Sequence, residues 1–120
     1  MQTIQPYALP ILVIGFMSWR VIRFRIVRKK LPEFLKQGAV IVDVRSPNEF
    51  SSGATPGSLN LPLNELDRIL TQKKVSLDPS RPVIVCCASG TRSGMAMGIF
   101  KKHGFDRVMN AGPWQNTLPH

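Results

Sequence analysis

The hydrophobic positions of this chain follow two different patterns, one before residue 31 and one after it. Residues 1–19 contain no charged side chain, and the stretch from Tyr7 to Trp19 is almost wholly apolar. Such a run predicts one apolar helix at the N-terminal end, and Pro10 lies near its start, where a helix tolerates proline best.

From Leu31 onward, short apolar runs alternate with segments of helical spacing. The runs 40–44 and 82–86 are rich in β-branched residues, which is typical of strands buried on both faces. Residues 46–49 (Ser-Pro-Asn-Glu) have the composition of a capped helix start. Further strands are predicted at 58–61 and 107–109, and further helices at 32–36, 63–70 and 91–103. This alternation predicts an α/β fold, with a small, mostly parallel sheet flanked by helices on both faces.

The two patterns predict two segments: an apolar anchor helix with a basic juxtamembrane part at 1–30, and an α/β domain at 31–120. A membrane-spanning helix needs about 20 residues, and the apolar run approaches that length only if its polar start and Arg20 are included. The basic residues follow the apolar run, whereas a secretory signal peptide has them first. The positive-inside rule then predicts a membrane anchor with its N-terminus outside and the domain in the cytoplasm. The alternatives are an apolar helix that packs on the domain or on a partner, and a cleaved or disordered leader.

The net charge of +9 is concentrated in one block. Residues 20–30 hold six basic side chains and no acidic one, whereas residues 31–120 hold ten basic and seven acidic side chains. A local block of this kind is typical of a segment that binds a polyanion or a membrane surface, or nothing in particular. Because the basic residues are not interleaved with aromatic ones elsewhere, we do not expect a nucleic-acid partner.

The chain has only two cysteines, Cys86 and Cys87, and they are adjacent. Neighbouring residues of a strand point to opposite faces, so a disulfide between them would be strained. This favours a reducing compartment, and the spacing fits no zinc site. We expect neither a metal nor an organic cofactor, and we expect Cys86 to belong to the core.

The segment Cys87-Ala88-Ser89-Gly90-Thr91-Arg92 links a buried strand to a helix and is built mostly of small residues. In α/β folds, ligands bind at the carboxyl ends of the strands. Small residues allow the backbone N–H groups and the helix N-terminus to converge on one spot that favours an anion. A cysteine there has a lowered pKa and is nucleophilic, and Arg92 adds a positive charge. The alternative is a buried, inert cysteine.

Residues 31–114 resemble the rhodanese family, chiefly its single-domain sulfurtransferases. Residues 87–93 match the family loop C-x-x-G-x-(R/S)-S, residues 43–50 match D-V-R-x-x-x-E-(F/Y), and residues 53–62 match G-H-I-P-G-A-x-N-I-P. Residues 110–114 look like the closing glycine and tryptophan segment of the family. Two positions depart from the pattern: Ala54 stands where the family often has histidine, and Thr55 replaces an apolar residue.

The resemblance implies a sulfurtransferase in which Cys87 carries a persulfide and residues Ala88, Ser89, Gly90, Thr91 and Arg92 bind the substrate. The implied partners are a small sulfur donor, such as thiosulfate or a persulfide, and a thiol or cyanide as acceptor. Phosphatases of similar fold have a longer loop than the four residues between Cys87 and Arg92, so sulfur transfer is favoured over phosphate or arsenate chemistry. A membrane-tethered rhodanese-fold binding or regulatory module remains an alternative.

Three further residues are candidates for supporting roles: Asp43, Arg45 and Glu49. Arg45 and Glu49 are four residues apart across a helix start, which predicts an ion pair between them. Asp43 ends a buried strand, and a buried carboxylate there needs backbone partners.

Overall fold

The computed structural model describes residues 5–119, so residues 1–4 of the predicted anchor segment and residue 120 of the predicted domain lie outside the described residues. The described part is an alternation of helices and parallel strands, which confirms the α/β prediction. In chain order, the elements are α1 (Ala8–Lys36), β1 (Val40–Asp43), α2 (Pro47–Ser51), β2 (Leu59–Asn60), α3 (Leu63–Thr71), β3 (Val83–Cys87), α4 (Thr91–Lys102), β4 (Val108–Pro113) and a 3₁₀ helix (Trp114–Thr117).

The four strands form one parallel sheet in the order β2-β1-β3-β4. β3 lies in the interior of the sheet, and all five of its residues are buried. The register of β3 and β4 shifts at one point, since Val85 pairs with Asn110 but Cys86 pairs with Gly112. Ala111 is therefore the extra residue of a β-bulge, which lies next to the carboxyl end of β3.

Each face of the sheet has its own hydrophobic core. Val83, Val85 and Cys87 point to the face that is covered by α3 and α4, through Leu66 and Phe100. Ile84 and Cys86 point to the other face, which is covered by the C-terminal part of α1. Helices therefore cover both faces, as predicted, and the two adjacent cysteines lie on opposite sides of the sheet.

The predicted apolar helix and the predicted short helix at 32–36 are one continuous helix of 29 residues, α1, which runs through Pro32. Only its C-terminal half contacts the sheet, through the buried side chains of Val27 and Leu31. The side chains between Tyr7 and Ile22 are exposed to solvent. The predicted division at residue 30 falls inside this helix and stays a prediction.

The predicted membrane-spanning anchor is not supported. Within residues 5–119, no helix contains an apolar stretch long enough to cross a membrane. The physical reason is the spacing of the arginines in α1. The helix begins at Ala8, and its first 18 residues already include Arg20, Arg23 and Arg25.

Candidate active site

Cys87 is the last residue of β3, and α4 begins four residues later at Thr91. The thiol therefore lies at the carboxyl edge of the parallel sheet, in the predicted setting between a strand and a helix. Its side chain is completely buried at the base of the connecting loop. Ser89 and Thr91 are exposed on the outside of this loop.

The loop presents hydrogen-bond donors to the Cys87 sulfur. The Gly90 N–H donates to Sγ at 2.9 Å, and the Ser93 Oγ lies 3.3 Å from Sγ. Burial by itself would raise the pKa of the Cys87 thiol. The hydrogen bonds outweigh burial and hold this pKa below its usual value, and the groups that make them are the Ser93 hydroxyl and the backbone N–H groups of Ser93, Gly90 and Ser89. The site thus favours a thiolate.

Gly90 holds the loop in its curled conformation. Its φ of 104° lies in the left-handed region that favours glycine. A Cβ at this position would also lie 3.2 Å from the Cα of Gly112, which is tighter than most Cβ contacts, so the Gly112 backbone would have to shift. The backbone conformation therefore favours glycine here, and the close approach of Gly112 adds to that preference.

The structure adds two residues to the site that were not predicted as site residues, Ser93 and Asn110. Ser93 Oγ lies 2.6 Å from Asn110 Oδ1 and 3.3 Å from Cys87 Sγ, and its single hydrogen can go to either acceptor. Asn110 Nδ2 donates to the Gly90 carbonyl at 3.2 Å. The Gly112 N–H fixes the amide orientation by donating to Asn110 Oδ1 at 2.9 Å. Ser93 is the last residue of the loop motif and Asn110 is the first residue of the closing segment, which are usable signals. Asn110 pairs with Val85 just before the β4 bulge, so it lies beside the loop.

Arg92 and Glu49 form an ion pair, which corrects the predicted pairing of Arg45 with Glu49. Arg92 Nη1 and Nη2 donate to the two carboxylate oxygens of Glu49 at 2.6 and 3.0 Å. The Arg92 guanidinium, with the Ser46 backbone N–H, lowers the pKa of Glu49 to about 2. Arg92 therefore joins α4 to α2, and its charge is already compensated by a carboxylate.

Arg45 pairs with Asp43 instead, because both side chains are buried at the end of β1. The Arg45 Nη2 donates to Asp43 Oδ2 at 2.8 Å and to the Gly53 carbonyl at 2.7 Å. The Arg45 backbone N–H donates to Asp43 Oδ1 at 3.0 Å, which is the backbone partner predicted for this carboxylate. The guanidinium also lies 4.9 Å from the centre of the Trp114 ring. These contacts fix the loop after α2 to the sheet.

Thr55, which departs from the family pattern, is buried and links the loop after α2 to the 3₁₀ helix. Its hydroxyl lies 2.6 Å from Thr117 Oγ1 and donates to the Trp114 carbonyl at 3.3 Å. Cys86 is fully buried on this same side of the sheet. Burial, together with the nearby Asp43 carboxylate, raises the pKa of its thiol far above the usual value. Cys86 thus belongs to the core, as predicted.

The described residues 5–119 include His, Cys, Asp and Glu side chains that could in principle bind a metal ion. That part of the chain brings no three His, Cys, Asp or Glu side chains close enough to hold a metal ion.

The fold and the loop together define an α/β domain with one anion-stabilising cysteine site at the end of an interior parallel strand. Residues 27–112 match the family model described as the rhodanese-like domain. The chain belongs to the rhodanese family.

Curated relatives and solved structures agree with this assignment. Thiosulfate sulfurtransferase GlpE of Ectopseudomonas mendocina is 31% identical over 79% of this chain and 87% of its own length. Thiosulfate:glutathione sulfurtransferase of Saccharomyces cerevisiae is 34% identical over 70% of this chain and 63% of its own length. The human single-domain sulfurtransferase TSTD1 superposes with a TM-score of 0.63 at 26% identity, covering 73% of this chain and 88% of that one. The protein is an enzyme of the sulfurtransferase class.

Proposed function

We propose that this protein carries sulfane sulfur as a persulfide on Cys87 and moves it from a small donor, such as thiosulfate, to a thiophilic acceptor. The observation that carries this proposal is the set of donors around a buried sulfur, led by the Gly90 N–H at 2.9 Å. A persulfide is an anion at neutral pH, so the groups that favour the thiolate also favour the loaded form. The sulfur donors named for the curated relatives agree with this choice of substrate.

In the first step, the Cys87 thiolate attacks the outer sulfur of thiosulfate. A new bond forms between Cys87 Sγ and that sulfur. The sulfur–sulfur bond of thiosulfate breaks, and sulfite leaves with the bonding electron pair. The negative charge moves to the outer sulfur of the persulfide, near the loop N–H groups and the N-terminus of α4.

In the second step, an acceptor nucleophile attacks the outer sulfur of the persulfide. A thiolate acceptor leaves as a small-molecule persulfide, and cyanide leaves as thiocyanate. In both cases the bond to Cys87 Sγ breaks, and the Cys87 thiolate is regenerated with the bonding pair. Two successive half-reactions on one cysteine predict ping-pong kinetics.

Two features favour a sulfur atom over a phosphoryl group as cargo. The loop has only four residues between Cys87 and Arg92, and the thiol lies buried at its base. The Arg92 guanidinium donates to both oxygens of Glu49, so it is not turned toward a phosphoryl group that would stay bonded to the cysteine, whereas the oxygens of thiosulfate leave with sulfite. A single added sulfur needs neither a wide cradle nor a free arginine.

The test is intact mass spectrometry of the protein after incubation with thiosulfate and removal of the donor. We expect the wild type to gain the mass of one sulfur atom and to release one equivalent of thiocyanate on addition of cyanide. Cys87→Ser should do neither. Cys86→Ser is the matched control and should load normally, because Cys86 lies on the other face of the sheet. Equal loading of the wild type and Cys87→Ser would overturn the proposal.

A further inference from the structure

A recess of about 300 Å³ lies beside the Cys87 loop, between α1 and the end of β4. This volume is at the lower end of the range for small-molecule sites. The recess is partly apolar and partly basic. Its lining includes Ser89, Pro113, Trp19, Phe24, Arg20 and Arg23.

Arg23 is held in place at this recess by contacts with β4. Its Nη2 donates to the Asn110 carbonyl at 3.3 Å, and its guanidinium lies 5.6 Å from the centre of the Trp19 ring. Arg23 thus contacts the backbone of Asn110, and the side chain of Asn110 contacts the Cys87 loop at Gly90. A positive charge is therefore held close to the loop.

The charges around the loop are unevenly compensated. Arg92 and Arg45 are paired with Glu49 and Asp43. Among residues 5–119, no carboxylate lies within salt-bridge distance of Arg20 or Arg23. The positive charge that remains available to an anionic substrate beside the loop therefore comes from α1.

These arginines lie outside the part of the chain that matches the family model, which begins at residue 27. The side of the recess that α1 forms is thus outside the shared domain. An inorganic donor such as thiosulfate has no apolar part that could contact the aromatic residues of this side. An organic molecule with negatively charged groups matches both the aromatic and the basic parts.

We propose that this recess binds the anionic body of the sulfur acceptor, a small thiol that carries carboxylate groups, and that Arg23 is a specificity-determining residue. The inference rests on the proposed function, because an acceptor is needed only after Cys87 has been loaded. The acceptor thiolate attacks the outer sulfur of the Cys87 persulfide and forms its own sulfur–sulfur bond. The bond to Cys87 Sγ breaks, Cys87 leaves as the thiolate, and the acceptor carboxylates stay on the arginines throughout.

The experiment measures the second half-reaction by itself, with protein that has been loaded by thiosulfate and freed of donor. Glutathione, which carries two carboxylates, is compared with 2-mercaptoethanol, which carries none. Arg23→Gln should lower the second-order rate constant for glutathione about tenfold or more, because a charge-assisted hydrogen bond is lost. It should leave the rate constant for 2-mercaptoethanol and the extent of loading unchanged.

Arg25→Gln is the matched control, since it removes the same charge from an exposed position of the same helix. It should behave like the wild type toward both thiols. Equal effects of Arg23→Gln and Arg25→Gln on the glutathione reaction would overturn the proposal. An equal loss toward both thiols would also overturn it, since Arg23 would then act through Asn110 on the loop. Arg23→Lys, which keeps the charge, should recover part of the glutathione rate.

Binding of S-methylglutathione, which cannot accept sulfur, separates this proposal from the proposed function. Titration calorimetry with the unloaded wild type should detect binding that weakens about tenfold in Arg23→Gln and is unchanged in Arg25→Gln. If S-methylglutathione binds the wild type and Arg25→Gln more tightly than Arg23→Gln, but thiosulfate loads no sulfur onto Cys87, the proposed function fails and the recess remains an anion site. If loading succeeds but S-methylglutathione does not bind, the recess proposal alone fails.

Discussion

Cys86 and Cys87 are adjacent and both fully buried, but the pKa values of their thiols shift in opposite directions. Burial raises the pKa of each thiol, since it penalises the thiolate. At Cys87, the Ser93 hydroxyl and the loop N–H groups outweigh burial, whereas Cys86 lies beside the negative Asp43 carboxylate. One position along the strand therefore separates a core thiol from a thiol whose surroundings favour the thiolate.

Replacement of Ser93 tests this balance at the residue scale. Ser93→Ala removes a hydroxyl that lies 3.3 Å from the Cys87 sulfur, so the pKa of Cys87 should rise toward its usual value. We expect the midpoint of the pH profile for alkylation by iodoacetamide to move to higher pH. The rate near neutral pH should fall about threefold to tenfold.

The Ser93 measurement should be made in a Cys86→Ser background, so that only Cys87 reacts. An unchanged midpoint would mean that the backbone N–H groups alone set the thiolate population.

At the scale of elements, α1 consists of two halves in different environments. Its C-terminal half supplies Val27 and Leu31 to the core beneath Ile84 and Met109. Its N-terminal half exposes large apolar side chains; Leu12, for example, is 69% exposed. The same kind of residue therefore contributes to folding in one half of the helix and not in the other.

Alanine replacements in the two halves of α1 should differ in their effect on the free energy of unfolding. Leu31→Ala should lower it by about 2–5 kcal/mol, because it opens a cavity in the core. Leu12→Ala is the matched control and should change it by no more than about 0.5 kcal/mol. Urea denaturation at fixed protein concentration measures both. Equal losses would show that the N-terminal half is also packed in solution.

At the scale of the whole molecule, contacts between residues far apart in the chain position the site. The Glu49–Arg92 pair joins α2 to α4, and the contact of Arg23 with Asn110 joins α1 to β4. α1 also extends beyond the domain, which gives the molecule extents of 58 × 32 × 30 Å. One end of the long axis is therefore an apolar helix that lies outside the domain core.

The Glu49–Arg92 pair predicts a component of stability that depends on pH. The pKa of Glu49 is lowered from 4.5 to about 2. A lowered carboxylate pKa gives stabilisation that is fully present above 4.5 and is lost as the pH falls toward about 2. We expect the wild type to have a higher melting temperature than Glu49→Gln at about pH 6, and the difference to shrink below about pH 4.

Glutamine is a suitable replacement for Glu49 because it keeps the capping interaction with Ser46. The difference between the two proteins should also decrease with added salt, since both side chains of the pair are partly exposed. A difference that stays constant from pH 6 to pH 3 would exclude the ion pair as its source.

Local patterns were sufficient to predict most elements and the setting of Cys87. The β-branched runs predicted β1 and β3, and the capping box at residues 46–49 is present as predicted. The ion-pair partners could not be predicted in the same way. Arg45 lies two residues from Asp43 and four from Glu49, and burial of Asp43 at the end of β1 decides which carboxylate it pairs with.

The sequence by itself determined the α/β class, the strand-to-helix loop and the separation of the two cysteines onto opposite faces. These features depend on residue types and on spacings of a few residues, which fix backbone conformation locally. Only the tertiary structure decided that Glu49 neutralises Arg92, that Asn110 supports the loop, and that α1 brings Arg23 beside it. These are contacts between distant segments, and only the packing of the helices and strands against one another brings those segments together.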